Sequence, residues 1–183
     1  MQPVHAIQKS GFTLKIFQDE DAQSPDEWGD DGLFLVAKHR DFFVPPSKNE
    51  RNFDVQTTID DHKKTHWVFL LEAYIHSGVS LALAGEGNYP DRRWDVSTLG
   101  AVFASKKEWR LRDKARKAAL SYIGEWNKYL SGDVWGYEVQ LEGEDLDSCW
   151  GFYGFEYAKE QAIEALESCV KRAAQLIPQP GEH

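Results

Sequence analysis

At 183 residues, 42% hydrophobic and 28% charged, with seven Trp, seven Tyr and ten Phe, the chain can bury a substantial core and fits neither a disordered nor a fibrous class. Its net charge of −9 argues against general nucleic-acid binding, which needs clustered Lys and Arg. No apolar run reaches the roughly 18 residues of a membrane span, and two cysteines, Cys149 and Cys169, are too few for a disulfide framework or a cysteine-based zinc site.

These bounds predict a single cytoplasmic domain over 1–183 with loose ends at 1–10 and 178–183, no cofactor, no membrane contact, and two reduced, partly buried thiols. Along the chain, "FTLKIF" (12–17) alternates as a first strand does, and "DEDAQSPDEWGDD" (19–31) reads as an acidic loop with seven acids and no base. "GLFLVAKH" predicts a second strand and "VPPSKNERNF" a turn. From His66, "HWVFLLEAYIHSGVSLALAG" is apolar on both faces, as two buried strands around a turn near His76, Ser77 and Gly78 would be. "VSTLGAVFAS" predicts a further strand, with Ser105 placed to cap a helix over 106–130 whose apolar stripe includes Ala115, Ala119, Tyr122, Ile123 and Trp126. A closing helix from about Phe155 to 176 ends before Pro178. The order β-β-β-β-β-α-β-β-α predicts an α+β fold, one antiparallel sheet covered by two helices.

Between the helices, "VWGYEVQL" (134–141) and "LDSCWGFY" (146–153) form two strand-like runs around "EGED". A symmetric pairing through that loop sets Tyr137 opposite Trp150 and Trp135 opposite Phe152 on a core face. It sets Glu138 opposite Cys149, Gly136 opposite Gly151 and Val134 opposite Tyr153 on the other. Two facing glycines would leave a bare patch of backbone bordered by Glu138, Cys149 and Tyr153, open to a close approach or marking a bulge.

Constellations with catalytic residue types are present but incomplete. His76, Ser77, Arg92, Arg93 and Asp95 have the composition of a hydrolase triad, yet Ser77 directly follows His76 and lacks the G-x-S-x-G elbow, so turn and packing roles account for them. His62 and His66 stand four apart as two metal ligands would, without a third ligand at a recognisable spacing, and no metal is predicted. The stretch 106–117, with seven bases against two acids, is the sequence's one candidate nucleic-acid surface, and reads more simply as a solvated helix face or as a partner of the acidic 19–31 loop.

The runs "AYIHSGVSLALAGEGNYPDRRWDVSTLGAVFASKKEW" and "EWNKYLSGDVWGYEVQLEGEDLDSCWGFYGFEYAKEQA" resemble an uncharacterised family of small phage and mobile-element proteins. The likeness rests on His76-Ser77-Gly78, Trp94-Asp95, Gly100, Gly132-Asp133, Gly136-Tyr137 and the run Asp147 to Gly154. It departs at Ser131, Trp135 and a longer loop before Trp94. The resemblance implies a phage or plasmid origin and a bacterial host cytosol, brings no assigned enzymatic activity, and leaves the mechanism open. The expected role is therefore an acidic interaction protein that inhibits a host nucleic-acid-targeting defence complex, of anti-CRISPR or anti-restriction type. Its partner would be a host protein or protein–nucleic-acid complex, engaged through Asp19, Glu20, Asp21, Asp26, Glu27, Asp30 and Asp31. The competing expectation is an enzyme or small-ligand binder with a site around His76, Ser77, Asp95, Glu138, Cys149, Gly136, Gly151 and Tyr153.

Overall fold

The computed structural model describes residues 1–27, 32–75, 78–87 and 96–176. The chain is α+β, and it divides into two compact units, one built from Met1–Ala22 with Gly132–His183 and the other from Gln23–Ser131.

The first unit holds an antiparallel sheet in the order β1-β2-β8-β9, formed by β1 (His5–Lys9), β2 (Phe12–Gln18), β8 (Val134–Leu141) and β9 (Glu144–Tyr153). Helix α3 (Phe155–Leu176) covers one face. The alternation read in "FTLKIF" works as expected: Phe12, Leu14 and Ile16 pair with Leu141, Val139 and Tyr137, and all six face Ala162, Leu166 and Cys169 of α3. Both hairpins, Ser10-Gly11 and Glu142-Gly143, turn on two successive residues with positive φ, the two-residue loop whose twist matches the strands. Asp133 ties the unit together. Its carboxylate accepts from the Trp135 indole and, at 3.1 Å, from the backbone of Phe155, while its carbonyl accepts from Gly154 N at 2.8 Å, so β8 and α3 start from one residue.

The second unit is a five-stranded antiparallel sheet in the order β4-β3-β7-β5-β6. Its strands are β3 (Leu33–Lys38), β4 (Phe43–Val44), β5 (His66–Ile75), β6 (Val79–Leu83) and β7 (Val96–Ser105). Central β7 is apolar on both sides because both faces are covered. Leu35, Ala37, Phe69, Leu71, Val102 and Ala104 pack with α2 (Arg112–Leu130), whereas Val36, Ala101 and Phe103 pack with Phe53 and the short α1 (Val55–His62). Asn127 of α2 donates to Leu81 O (2.9 Å) and accepts from Leu81 N (2.7 Å), so a side-chain amide stands in for a neighbour on edge strand β6.

The architecture departs from the sequence reading in four places. Among the described residues there are two sheets and three helices, since β2 pairs with β8 across the sequence and not with β3. Strands β1 and β4 join those expected. Helix α1, capped by the Asp54 carboxylate on Thr57 N at 2.8 Å, falls where no element was expected. Helix α2 starts at Arg112, not 106, because Ser105 closes a turn instead, with Trp109 N donating to its carbonyl.

Candidate functional site

The hairpin of β8 and β9 has a different register from the symmetric one. Val134–Tyr153 and Trp135–Phe152 pair as expected, but Tyr137 lies opposite Cys149, Glu138 opposite Ser148, Val139 opposite Asp147 and Leu141 opposite Glu144. The cause is the two-residue turn, which draws Glu144 and Asp145 out of the supposed loop and into β9, offset by two bulges. Leu146 is the extra residue of one, left 48% exposed. Trp150 and Gly151 together oppose Gly136 in the other.

Two expectations are corrected as a result. Trp150 is not a core residue on the Tyr137 face; it lies on the opposite face of the sheet, half-buried. Nor does Gly136 leave bare backbone. A β-carbon at Gly136 would sit 2.9 Å from Trp150 Cγ and closer still to Cδ2 and Cε3, so the indole lies flat on the strand where a side chain is missing. Phe17, the β2 partner of Gly136, adds a second ring at 5.9 Å and 26°. Glu138 shares this face, two residues along from Gly136. Lys15, its cross-strand neighbour, donates to Gln140 Oε1 at 2.7 Å. With Met1 and Pro3, the side chains of Lys15, Phe17, Glu138 and Trp150 line a depression of about 370 Å³.

Cys149 belongs to the other face, opposite Tyr137, and is exposed at the sheet edge, whereas Cys169, on the sheet-facing side of α3, is 3% exposed. Burial, and then the nearby Asp147 carboxylate, push the Tyr137 hydroxyl up to about 12. A thiol reagent should label Cys149 at least about tenfold faster than Cys169 in the native protein, since access limits thiolate attack. Mass spectrometry of the labelled peptides tests this, and equal rates would contradict the edge position of β9. Tyr153 is half-buried opposite Val134.

Charge is divided between the units in a way composition conceals. The first unit carries fourteen acids against five bases, a net charge of −9, and the second carries sixteen of each. Edge strand β9 and its turn present Glu142, Glu144 and Asp145 in the open, with Asp147 beside them, while Glu156, Glu160, Glu164 and Glu167 recur along the exposed side of α3. Edge carboxylates also deter unwanted strand pairing. Sequence reasoning passed over this surface by treating "EGED" as a connector. Four acids and no base in 142–147 was the available signal.

The 19–31 carboxylates do not fall in one unit. Asp19, Glu20 and Asp21 belong to the first and Asp26 and Glu27 to the second. Asp19 Oδ1 accepts from Asp21 N, Asp26 from the Ser24 hydroxyl, and Glu27 pairs with Lys48 at 2.9 Å. Asp26 also borders a depression of about 300 Å³ with Asp41, Phe42, Phe43, Trp126 and Tyr129, where the Asp41 carboxylate is held by Arg40. Asp30, Asp31, His76, Ser77, Arg92, Arg93, Trp94 and Asp95 lie outside the described residues, so the triad-like set is not placed.

The remaining polar clusters are engaged in packing. His62 and His66 lie 5.3 Å apart against the stacked rings of Phe34 and Phe103, with their Nδ1 atoms on Thr58 O and Thr65 Oγ1 at 2.9 Å. Burial and the neighbouring His62 hold the His66 pKa below its usual value. No group of three metal-ligating side chains occurs among the described residues. In the basic stretch, Lys106 donates to Lys63 O and Lys64 O and lies over Trp67, Arg112 lies over Phe69, and Arg116 pairs with Glu86. Glu72, 5% exposed, accepts from Gly85 N and Gly87 N and so braces the loop after β6. No helix among the described residues is long and apolar enough to cross a membrane. Compared with protein-family models, curated proteins and solved structures, the chain matches none.

Proposed function

We propose that this chain is a phage- or plasmid-encoded interaction protein that blocks a host nucleic-acid-targeting defence complex by presenting an anionic surface to its basic nucleic-acid channel. The observation that carries this reading is the charge division: all nine net negative charges belong to the unit of β1, β2, β8, β9 and α3. A field of one sign on one folded unit steers it toward a basic partner and away from nucleic acid. The edge strand and its turn gather the carboxylates of Glu142, Glu144, Asp145 and Asp147 in one short stretch of chain, a concentration of negative charge that a phosphate-binding channel attracts. Asp19, Glu20 and Asp21 add to the same unit's field.

The test is displacement of DNA from a purified restriction or RNA-guided complex of a bacterial host. The wild-type chain should compete, and competition should weaken by about tenfold or more between about 0.05 M and about 0.5 M salt as screening shortens. The variant Glu142→Gln, Glu144→Gln, Asp145→Asn, Asp147→Asn should compete at least about tenfold more weakly with an unchanged melting temperature, because exposed side chains contribute little to stability. Undiminished competition by this variant, or competition indifferent to salt, would overturn the proposal.

A further inference from the structure

We infer that the depression beside Trp150 is an anchor for one arginine side chain of the protein partner, an inference that rests on the reading of this chain as a binder of basic surfaces. Three observations converge on a planar cation. First, the gap at Gly136 lets the Trp150 indole lie flat, with one face closed by the strand backbone and the rest of the half-buried ring bordering the depression. Together with Phe17 it forms an aromatic floor. Second, Glu138 beside that floor is half-buried, and its carboxylate makes no hydrogen bond or ion pair with any described residue. Its natural partner, Lys15, has its ammonium on Gln140 Oε1 instead. Third, the depression belongs to the unit that carries the whole net charge of −9.

A half-buried carboxylate without a partner favours a cation that arrives with hydrogen-bond donors. A guanidinium satisfies both components at once, stacking its plane on the indole and offering two parallel N–H groups to the carboxylate. An ammonium supplies the charge but neither the plane nor the fork. A nucleotide could stack on the ring, but its phosphate would be repelled by the unit's field. A depression of about 370 Å³ accommodates a side chain of this size.

The test uses the full chain with N-acetyl-arginine amide as probe, and N-acetyl-lysine amide and AMP as comparisons. The readout is the indole N–H resonance of Trp150, assigned with Trp150→Phe. The arginine probe should shift that resonance to saturation, the lysine probe should bind at least about threefold more weakly, and AMP should not bind. Glu138→Gln, which keeps shape and removes charge, should weaken the arginine probe by about tenfold, and Lys15→Met should tighten it by removing a like charge from the rim. An unmoved Trp150 resonance, equal affinity of Glu138→Gln, or AMP binding in place of arginine would overturn the anchor. The two proposals separate in the displacement assay: if the hairpin variant loses competition while Glu138→Gln keeps it, the anchor fails and the anionic-surface reading stands; if the hairpin variant competes undiminished, that reading fails whatever the probes do.

Discussion

Gly100→Ala should abolish the folded five-stranded sheet or cost it at least about 3 kcal/mol, at the top of the range for overpacking. Gly100 lies in the middle of β7, between Ala37 of β3 and Leu71 of β5. A β-carbon there would stand 2.8 Å from Ala37 Cα and closer still to the Val36 carbonyl oxygen. The obstacle is backbone of a paired strand, so no rotamer change relieves it, and β3 would have to part from β7 or shift along with it. The absent side chain is the condition for this approach. Urea unfolding followed by tryptophan fluorescence measures the loss. A variant with the wild-type midpoint and slope would mean that β3 does not run against Gly100 as described.

Phe103→Ala should cost about 3 to 5 kcal/mol, the usual range for emptying a large buried aromatic site. Phe103 is fully buried on the α1 face of β7, stacked on Phe34 at 4.6 Å and met edge-on by His62 at 5.5 Å. The cluster around it is small, with Val36, Phe53 and Ala101 as its other buried members, so neighbours have little freedom to close the void. The eight-residue α1 is too short to persist without this contact. Hydrogen exchange should therefore show α1 amides losing protection before those of β5 and β7. Equal protection of α1 in the variant and wild type would mean that the helix is held by something other than this packing.

Legibility in the sequence follows the physics of each element. The apolar stripe of α2 and the doubly apolar runs of β5, β6 and β7 are visible because burial on one or two faces imposes a pattern on consecutive residues. Helix α1 escapes notice because only Thr58 of it is buried, and its clearest sign is the Asp54 cap with Thr57 three residues on. Strand β1, "HAIQK", is exposed along most of its length and short, so alternation has little to act on. Separation into two sheets is a matter of which strand finds which partner, and nothing local in "FTLKIF" announces β8. The hairpin face was half legible. Gly136, Glu138 and Trp150 stand out by type, but their grouping depends on whether the chain turns in two residues or four, and Glu142-Gly143 lacks the Asn-Gly or Asp-Gly signature that would have revealed it.

Strands β2 and β8 are neighbours in space but not in synthesis. Gln18 Nε2 donates to Gly132 O at 2.8 Å across 114 positions of chain, and all of Gln23–Ser131 emerges from the ribosome between the two. The inserted unit has every residue it needs before β8 exists, whereas the amino-terminal hairpin must wait with the β8 edge of β2 unpaired. Closing a flexible loop of that length would cost on the order of 4 kcal/mol in chain entropy, beyond a constant term. A folded insert replaces that floppy loop with a compact body entered and left at two fixed points, and so lowers the entropy still to be lost when β8 arrives. The acidic surface is thus completed last, and its assembly depends on a neutral neighbour that contributes none of its charge.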